Sequence, residues 1–181
     1  MMMQPQQVLD FWFNELMPGQ WFTKDPALDE LIKQRFGQIH QQACAAELFG
    51  WRDTAHGRLA EIIVLDQFSR NIWRDQPAAF AADAQALVLA QEGVRLGVDQ
   101  ALSVLERSFF YMPYMHSESL VVHQQAVQLY KQQGLEVNLD FEYKHLAILQ
   151  RFGRYPHRNK ILGRVSTEEE IAFLKQPGSA F

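Results

Sequence analysis

Apolar residues recur at steps of three and four along nearly the whole of this sequence, and this spacing is the strongest constraint on its fold. The segment that follows Asp25 and Pro26 illustrates the pattern. Its apolar positions are Leu28, Ile32, Phe36, Ile39, Ala43 and Ala46. Such steps place side chains on one face of an α-helix. Because no convincing run of alternating polar and β-branched residues appears, the sequence predicts an all-α fold.

Prolines, glycines and capping residues divide this pattern into about eight helices. Asp25 is a predicted N-cap, Gly153 a predicted C-terminal stop, and Ser166 with Thr167 forms a double capping signature before a short last helix. The other expected helices cover residues 6–16, 26–49, 54–73, 77–96, 99–112, 113–132 and 138–152. Such short connections favour antiparallel hairpins, arranged as a bundle or a stack. No clean 34-residue self-similarity accompanies them.

The size and composition of the chain indicate one domain. With 181 residues, 48% of them hydrophobic, we expect residues 1–181 to form a single helical domain. Cys44 is the only cysteine, and no leader pattern precedes the first helix, so a cytoplasmic location is expected. The longest apolar runs, such as residues 109–115, are far shorter than the ~20 residues of a membrane span. No membrane partner is therefore expected.

The charge is spread unevenly. A net charge of −4 argues against a nucleic-acid partner, because such binding draws on many cations. Between Tyr143 and Thr167, however, no Asp or Glu occurs. The cations in this interval are Lys144, Arg151, Arg154, Arg158, Lys160 and Arg164. Its arginines are planar donors that could converge on a carboxylate or a phosphate. The alternative is that they offset a helix dipole and bond backbone carbonyls.

Titratable residues also interrupt the apolar faces of three predicted helices. Asp66 and Arg70 lie four residues apart in a helix that is apolar all round. His116 and His123, on the sixth predicted helix, and His145, on the seventh, fall on the buried arc. Brought together, such groups would form a polar pocket with shifted pKa values. The alternative is a structural network of satisfied hydrogen bonds.

The sequence contains no clear motif for metal binding or for nucleophilic catalysis. His116 and His123 stand roughly 10 Å apart along one helix, too far to share a metal ion. A metal site assembled from His116, Glu118, His145 and His157 is an alternative, but the sequence predicts no metal and no cofactor. Neither a Gly-x-Ser-x-Gly elbow nor a phosphate loop occurs, so enzymatic activity stays an open question.

Five segments carry a resemblance to a known family. They are VLDFWF at 8–13, LDQFSRN at 65–71, YMPYMHSES at 111–119, RFGRYPHRN at 151–159 and LGRVSTEEE at 162–170. Over nearly its full length the chain resembles a bacterial family of uncharacterised proteins, domain of unknown function 924. The resemblance implies an all-helical fold similar to tetratricopeptide-type helical stacks. It implies no activity and no catalytic residue.

The main hypothesis is a polar pocket between helices for a small anionic ligand, a carboxylate or a phosphate. The candidate ligand-binding residues are Asp66, Arg70, His116, Glu118, His145, Arg151, Arg154, His157, Arg158 and Asn159. The arginines would hold the anion, and a histidine would act as acid or base in any reaction. One alternative is a tetratricopeptide-like module that binds a peptide, with the polar groups purely structural. The other is a metal-assisted hydrolase.

Overall fold

The computed structural model describes residues 3–181, and its regular elements in this range are helical, with no β-strand. The α-helices are α1 (Pro5–Asp10), α2 (Pro26–Cys44), α3 (Ala55–Ile63), α4 (Ser69–Ile72), α5 (Asp83–Arg95), α6 (Val104–Phe110), α7 (Met112–Met115), α8 (Leu120–Tyr130), α9 (Glu136–Phe152) and α10 (Glu168–Phe173). Short 3₁₀ elements between them are Pro18–Gln20, Phe49–Asp53, Pro77–Phe80, Val98–Ala101 and Pro156–Arg158.

Several of these segments join into longer rods. A π-helical turn, Phe11–Glu15, extends α1, and a second one, Val64–Phe68, joins α3 to α4. Only Tyr111 separates α6 from α7. Residues 3–181 therefore contain eight continuous rods, and the predicted all-α fold of about eight helices is confirmed. None of the helices in this range combines the length and the apolar character that a bilayer span requires.

Two predicted helices begin later than expected. The fourth begins at Asp83, after a separate 3₁₀ turn, instead of at residue 77. The fifth begins directly after Ser103, whose hydroxyl accepts from the backbone amide of Glu106 while the Glu106 carboxylate accepts from the Ser103 amide. This reciprocal capping satisfies amides that a helix starting earlier would have bonded to its own carbonyls.

The predicted helix over residues 113–132 is wrong, because it is two helices. It is divided by residues 116–119, which leave helical geometry between α7 and α8. His116 and Glu118 therefore lie in a connection, not on a helical face. In this connection the Glu118 carboxylate accepts a hydrogen bond over 2.7 Å from the backbone amide of Tyr155, which lies 37 residues later in the chain.

The core surrounds the rod formed by α3, the π turn and α4. Helices α1, α5 and α6 pack against α3, and α2 packs against the π turn and α4. All five residues of the π turn, Val64–Phe68, are buried. Such turns insert a residue into a helix and are frequent at functional sites. The turn places Asp66 in the centre of the protein.

A smaller apolar cluster lies at the C-terminal end of α9. Its buried members are Ile148, Leu149 and Tyr155, with Phe152 and Phe173 packed against them. Gly153 ends α9 with a φ of 70°, which confirms the predicted stop. The Tyr155 hydroxyl then donates to the carbonyl of Met115 over 2.6 Å. This contact holds the cation-rich chain after α9 against the end of α7.

Candidate anion-binding site

Asp66 is a carboxylate inside the core, 1% exposed, and its oxygens are all engaged. Oδ1 lies 2.7 Å from His116 Nδ1, and Oδ2 accepts from Gln67 Nε2 over 2.7 Å. Burial raises the pKa of Asp66, but His116 and the Arg70 guanidinium together outweigh it, so the pKa lies below its usual range. Asp66 is therefore ionised.

Arg70 joins α4 to α5. Its Nη1 donates to the Asp66 carbonyl over 2.8 Å, and its two terminal nitrogens bind both oxygens of Asp83 at 2.8 and 3.0 Å. Burial lowers the pKa of Arg70, while the Asp66 and Asp83 carboxylates raise it by more, so that the net pKa lies above the ordinary value. Arg70 is thus a cation with a nearly complete set of acceptors.

One ring nitrogen of His116 makes a hydrogen bond, and the other makes none. A carboxylate only accepts, so Nδ1 carries the proton that it donates to Asp66. Nε2 then carries a lone pair; it has no hydrogen-bond partner in residues 3–181 and is not fully buried. Burial lowers the pKa of His116, and the neighbouring Arg70 lowers it further, so the ring is neutral at pH 7.

Arg158 is the least satisfied cation of this region. Its guanidinium lies between the rings of Phe80 and Tyr155, 4.6 and 4.7 Å from their centroids, and the residue is 6% exposed. One hydrogen bond holds it, from Nη2 to the His116 carbonyl over 2.9 Å. Asp83 Oδ2 stands 3.6 Å from Nη1, beyond hydrogen-bond distance.

Other polar atoms beside Arg158 also lack partners. Within residues 3–181, Arg158 Nε and His157 Nδ1 are buried with no hydrogen bond. Burial lowers the pKa of Arg158, as does Arg70, and burial together with Arg158 lowers the pKa of His157 to about 4. We call the group Asp66, Arg70, Asp83, His116 and Arg158 the Arg158 site.

Two predicted ligand residues, Arg154 and Asn159, belong to a separate cluster, and a third, Arg151, makes its ion pair outside that cluster. Arg154 binds both oxygens of Glu170 at 2.7 and 2.9 Å, and Asn159 Nδ2 donates to the same carboxylate over 3.2 Å. Arg151 pairs with the exposed Glu169. The Arg154 hydrogen bond is the main cause that lowers the pKa of Glu170 to about 2. We call Arg154, Asn159 and Glu170 the Glu170 clasp.

Two further predicted residues, Glu118 and His145, have partners of their own, whereas His157 Nδ1 has none among residues 3–181. Glu118 binds Arg164 through both oxygens at 2.7 and 2.9 Å. His145 donates through Nδ1 to the Phe141 carbonyl over 2.7 Å and stacks on Phe181. Ligand roles for these residues stay predictions.

Sequence reasoning missed Asp83 of the site and three residues that contact the site, Gln67, Phe80 and Tyr155. Gln67 follows a residue that the helical wheel had singled out, so adjacency was a usable signal. Nothing in the sequence links Asp83 to Arg70 or Arg158, because the pairing depends on how α4 and α5 pack.

The described part of the chain contains no candidate metal-binding site. No group of three or more His, Cys, Asp or Glu residues in it is placed so that it could hold a metal ion. His123 is instead occupied by protein groups, with Glu142 Oε1 2.6 Å from Nδ1 and the Ser117 carbonyl 2.7 Å from Nε2.

Known proteins resemble the chain over almost all of its length. A solved structure of a protein of unknown function, ATU0120 from Agrobacterium tumefaciens, is 40% identical, with a TM-score of 0.89 over 94% of this chain and 96% of that one. No curated protein matches. The family model for a bacterial protein of unknown function, DUF924, matches residues 8–178. The chain therefore belongs to the DUF924 family of bacterial proteins.

Proposed function

We propose that this protein binds a small anionic ligand, a carboxylate or a phosphate, at the Arg158 site. We also place it in the cytoplasm, since its single cysteine is unpaired, as in reducing compartments. The proposal rests on the four site residues that converge in the structure, with Asp83 as their added partner.

The observation that carries the proposal is the incomplete bonding of Arg158. A guanidinium has five N–H donors, and this one makes a single hydrogen bond, to the His116 carbonyl. Nη1 makes no hydrogen bond and remains in contact with solvent. A carboxylate or a phosphate that accepts from Nη1 would supply the acceptor that the protein does not.

The charges of the site favour an anion with a single negative charge. Arg70 and Arg158 face Asp66 and Asp83, but Arg70 takes both oxygens of Asp83. Arg158 is left with a 3.6 Å contact to that carboxylate. One partly compensated guanidinium suits a carboxylate or a phosphate monoanion better than a dianion.

His116 gives the site a base next to this cation. Its Nδ1 is held by Asp66, and the backbone carbonyl of the same residue accepts from Arg158. The free Nε2 lone pair could take a proton from a bound hydroxyl or water. In any reaction, Asp66 would orient the ring and Arg158 would hold the anion.

Thermal unfolding tests the proposal. Acetate, succinate and phosphate would be titrated at constant ionic strength, with chloride as the reference salt. A ligand at 100 times its Kd stabilises the native state by about 2.7 kcal/mol, which raises the Tm by about 5–10 °C in a chain of this size. We expect Arg158→Gln to remove this rise.

Arg151→Gln is the matched control. It removes an arginine from the same cation-rich interval, but one that is exposed and paired with Glu169. The rise in Tm should persist in this variant. If none of the three anions raises the Tm more than chloride does, or if Arg158→Gln keeps the rise, the proposal is wrong.

A further inference from the structure

A groove of about 570 Å³ lies between α5 and α8, outside the Arg158 site. Tyr114 of α7 contributes to it, and α7 packs against both neighbouring helices. We call it the glutamine groove, because its polar lining consists mainly of Gln91, Gln124, Gln125 and Gln128.

Tyr114 brings an unpartnered hydroxyl to this groove. The residue is only 2% exposed and lines the groove, and its hydroxyl has no hydrogen-bond partner among residues 3–181. Burial is the main cause that raises its pKa to about 12, so the group is a proton donor at neutral pH. Solvent reaches this hydroxyl, so an acceptor on a ligand in the groove can take the place of water.

The four glutamines are also free. None of their side-chain amides has a hydrogen-bond partner in the described part of the chain. Gln124, Gln125 and Gln128 lie at helical spacing on one face of α8, and Gln91 faces them from α5. Each amide offers both a donor and an acceptor, which is what a peptide group also requires.

The spacing on α8 fits an extended chain. Four residues separate Gln124 from Gln128, which corresponds to about 6 Å along the helix. An extended peptide repeats every two residues, or about 6.7 Å. Two amides on α8 can therefore meet successive peptide groups on the same edge of such a chain.

The charge of the groove points to an uncharged occupant. Its only charged side chain is Arg95, which binds both oxygens of Glu92 at 2.8 and 2.6 Å. The walls between the amides are apolar, with Val94 on α5 and Leu129 on α8, and Val121 is 67% exposed at the rim. Apolar side chains of a ligand would find contact area here, while ionic groups would find no free counter-ion.

We propose that the glutamine groove binds an extended, uncharged peptide segment of another protein. The glutamines pair with its backbone N–H and C=O groups, and the Tyr114 hydroxyl donates to one of its carbonyls. Its apolar side chains contact Val94 and Leu129. This activity is independent of anion binding at the Arg158 site.

Selection from a displayed library of random linear heptapeptides tests the proposal. Peptides enriched on the wild-type protein should lack charged residues. Made as free, labelled peptides, they should bind Tyr114→Phe about three- to tenfold more weakly, which is the value of one neutral hydrogen bond. Gln128→Glu keeps the size of the side chain but adds a charge and removes a donor, so it should weaken binding further.

Gln38→Glu is the matched control, because Gln38 is an exposed glutamine on α2, far along the chain from the groove. It should leave the affinity unchanged. The proposal is overturned if no sequence is enriched, if the enriched sequences are charged, or if Tyr114→Phe and Gln128→Glu bind as wild type does. It is also overturned if sedimentation shows a dimer that Gln128→Glu dissociates, because the groove would then be a self-association surface.

Discussion

The Arg158 site and the Glu170 clasp draw on the same cation-rich interval, but they differ in how well their charges are matched. In the clasp, Arg154 meets one carboxylate with two hydrogen bonds and also donates to the Val165 carbonyl. At the site, Arg158 is more deeply buried and makes one hydrogen bond. A cluster of arginines therefore does not by itself predict a binding site, and the proposal depends on the incomplete bonding of the buried Arg158.

The two regions also differ in how far apart their members lie in the sequence. Glu170 follows Arg154 by 16 residues, and Thr167 caps the helix that carries Glu170. The site joins Asp66 to His116 across 50 residues and His116 to Arg158 across 42. The clasp can thus form locally, whereas the site needs the packed core.

The largest expected effect is the loss of stability in Asp66→Ala. This change leaves His116 Nδ1 without its acceptor and removes one of the two carboxylates next to the Arg70 cation, and breaking such a buried charged contact typically costs about 3–5 kcal/mol. Urea unfolding monitored by circular dichroism measures it. Asp66→Asn should cost less, because an amide oxygen still accepts from His116 Nδ1.

Glu170→Ala tests the stability of the Glu170 clasp in the same way that Asp66→Ala tests the Arg158 site. Its partner Arg154 can turn to solvent, since 29% of that side chain is already exposed. We expect a smaller loss than for Asp66→Ala. Equal losses in the two variants would mean that the Arg158 site is no more deeply coupled to the fold than the clasp is.

An intermediate effect is expected from pH at His157, the residue that precedes Arg158 in the chain. Burial and Arg158 lower the pKa of His157 to about 4, so the unfolded chain binds a proton at this residue before the folded one does. The contribution of neutral His157 to the free energy of unfolding is complete above about pH 6.5 and is lost as the pH falls towards 4. Urea unfolding at several pH values should show this loss of stability.

His157→Gln should reduce the slope of stability against pH between 6.5 and 4 without abolishing it, because burial lowers the pKa of His145 to about 3 and this residue contributes over the same interval. The Glu170 clasp should respond at lower pH. Because the pKa of Glu170 is lowered to about 2, its contribution to stability begins to fall near pH 4.5 and is lost below that pH. A slope that is as steep in His157→Gln as in the wild type would assign the effect to another group.

Sequence reasoning predicts the fold better than the site, for a physical reason. Helical spacing, Gly153 and the Thr167 capping box are local signals, and the structure contains the features that they predict. Asp66 and Arg70 were singled out because they fall on apolar faces. Their partner Asp83 was not, since its position depends on the packing of α4 against α5. Likewise, a helical wheel could not show that His116 lies outside a helix.

The smallest expected effect on stability is also the sharpest test of the difference between the two regions. Arg158→Met replaces a poorly compensated buried cation by an apolar side chain of similar length between the Phe80 and Tyr155 rings. Replacing a buried charge in this way is often neutral or stabilising, so we expect a free energy of unfolding within about 1 kcal/mol of wild type. Arg154→Met should instead lower the Tm, because it leaves the Glu170 carboxylate without its main partner. The effects on anion binding should be reversed, with the rise in Tm lost in Arg158→Met and kept in Arg154→Met. Marked destabilisation by Arg158→Met would mean that this arginine stabilises the fold. A residue that only binds a ligand contributes little to the stability of the ligand-free protein.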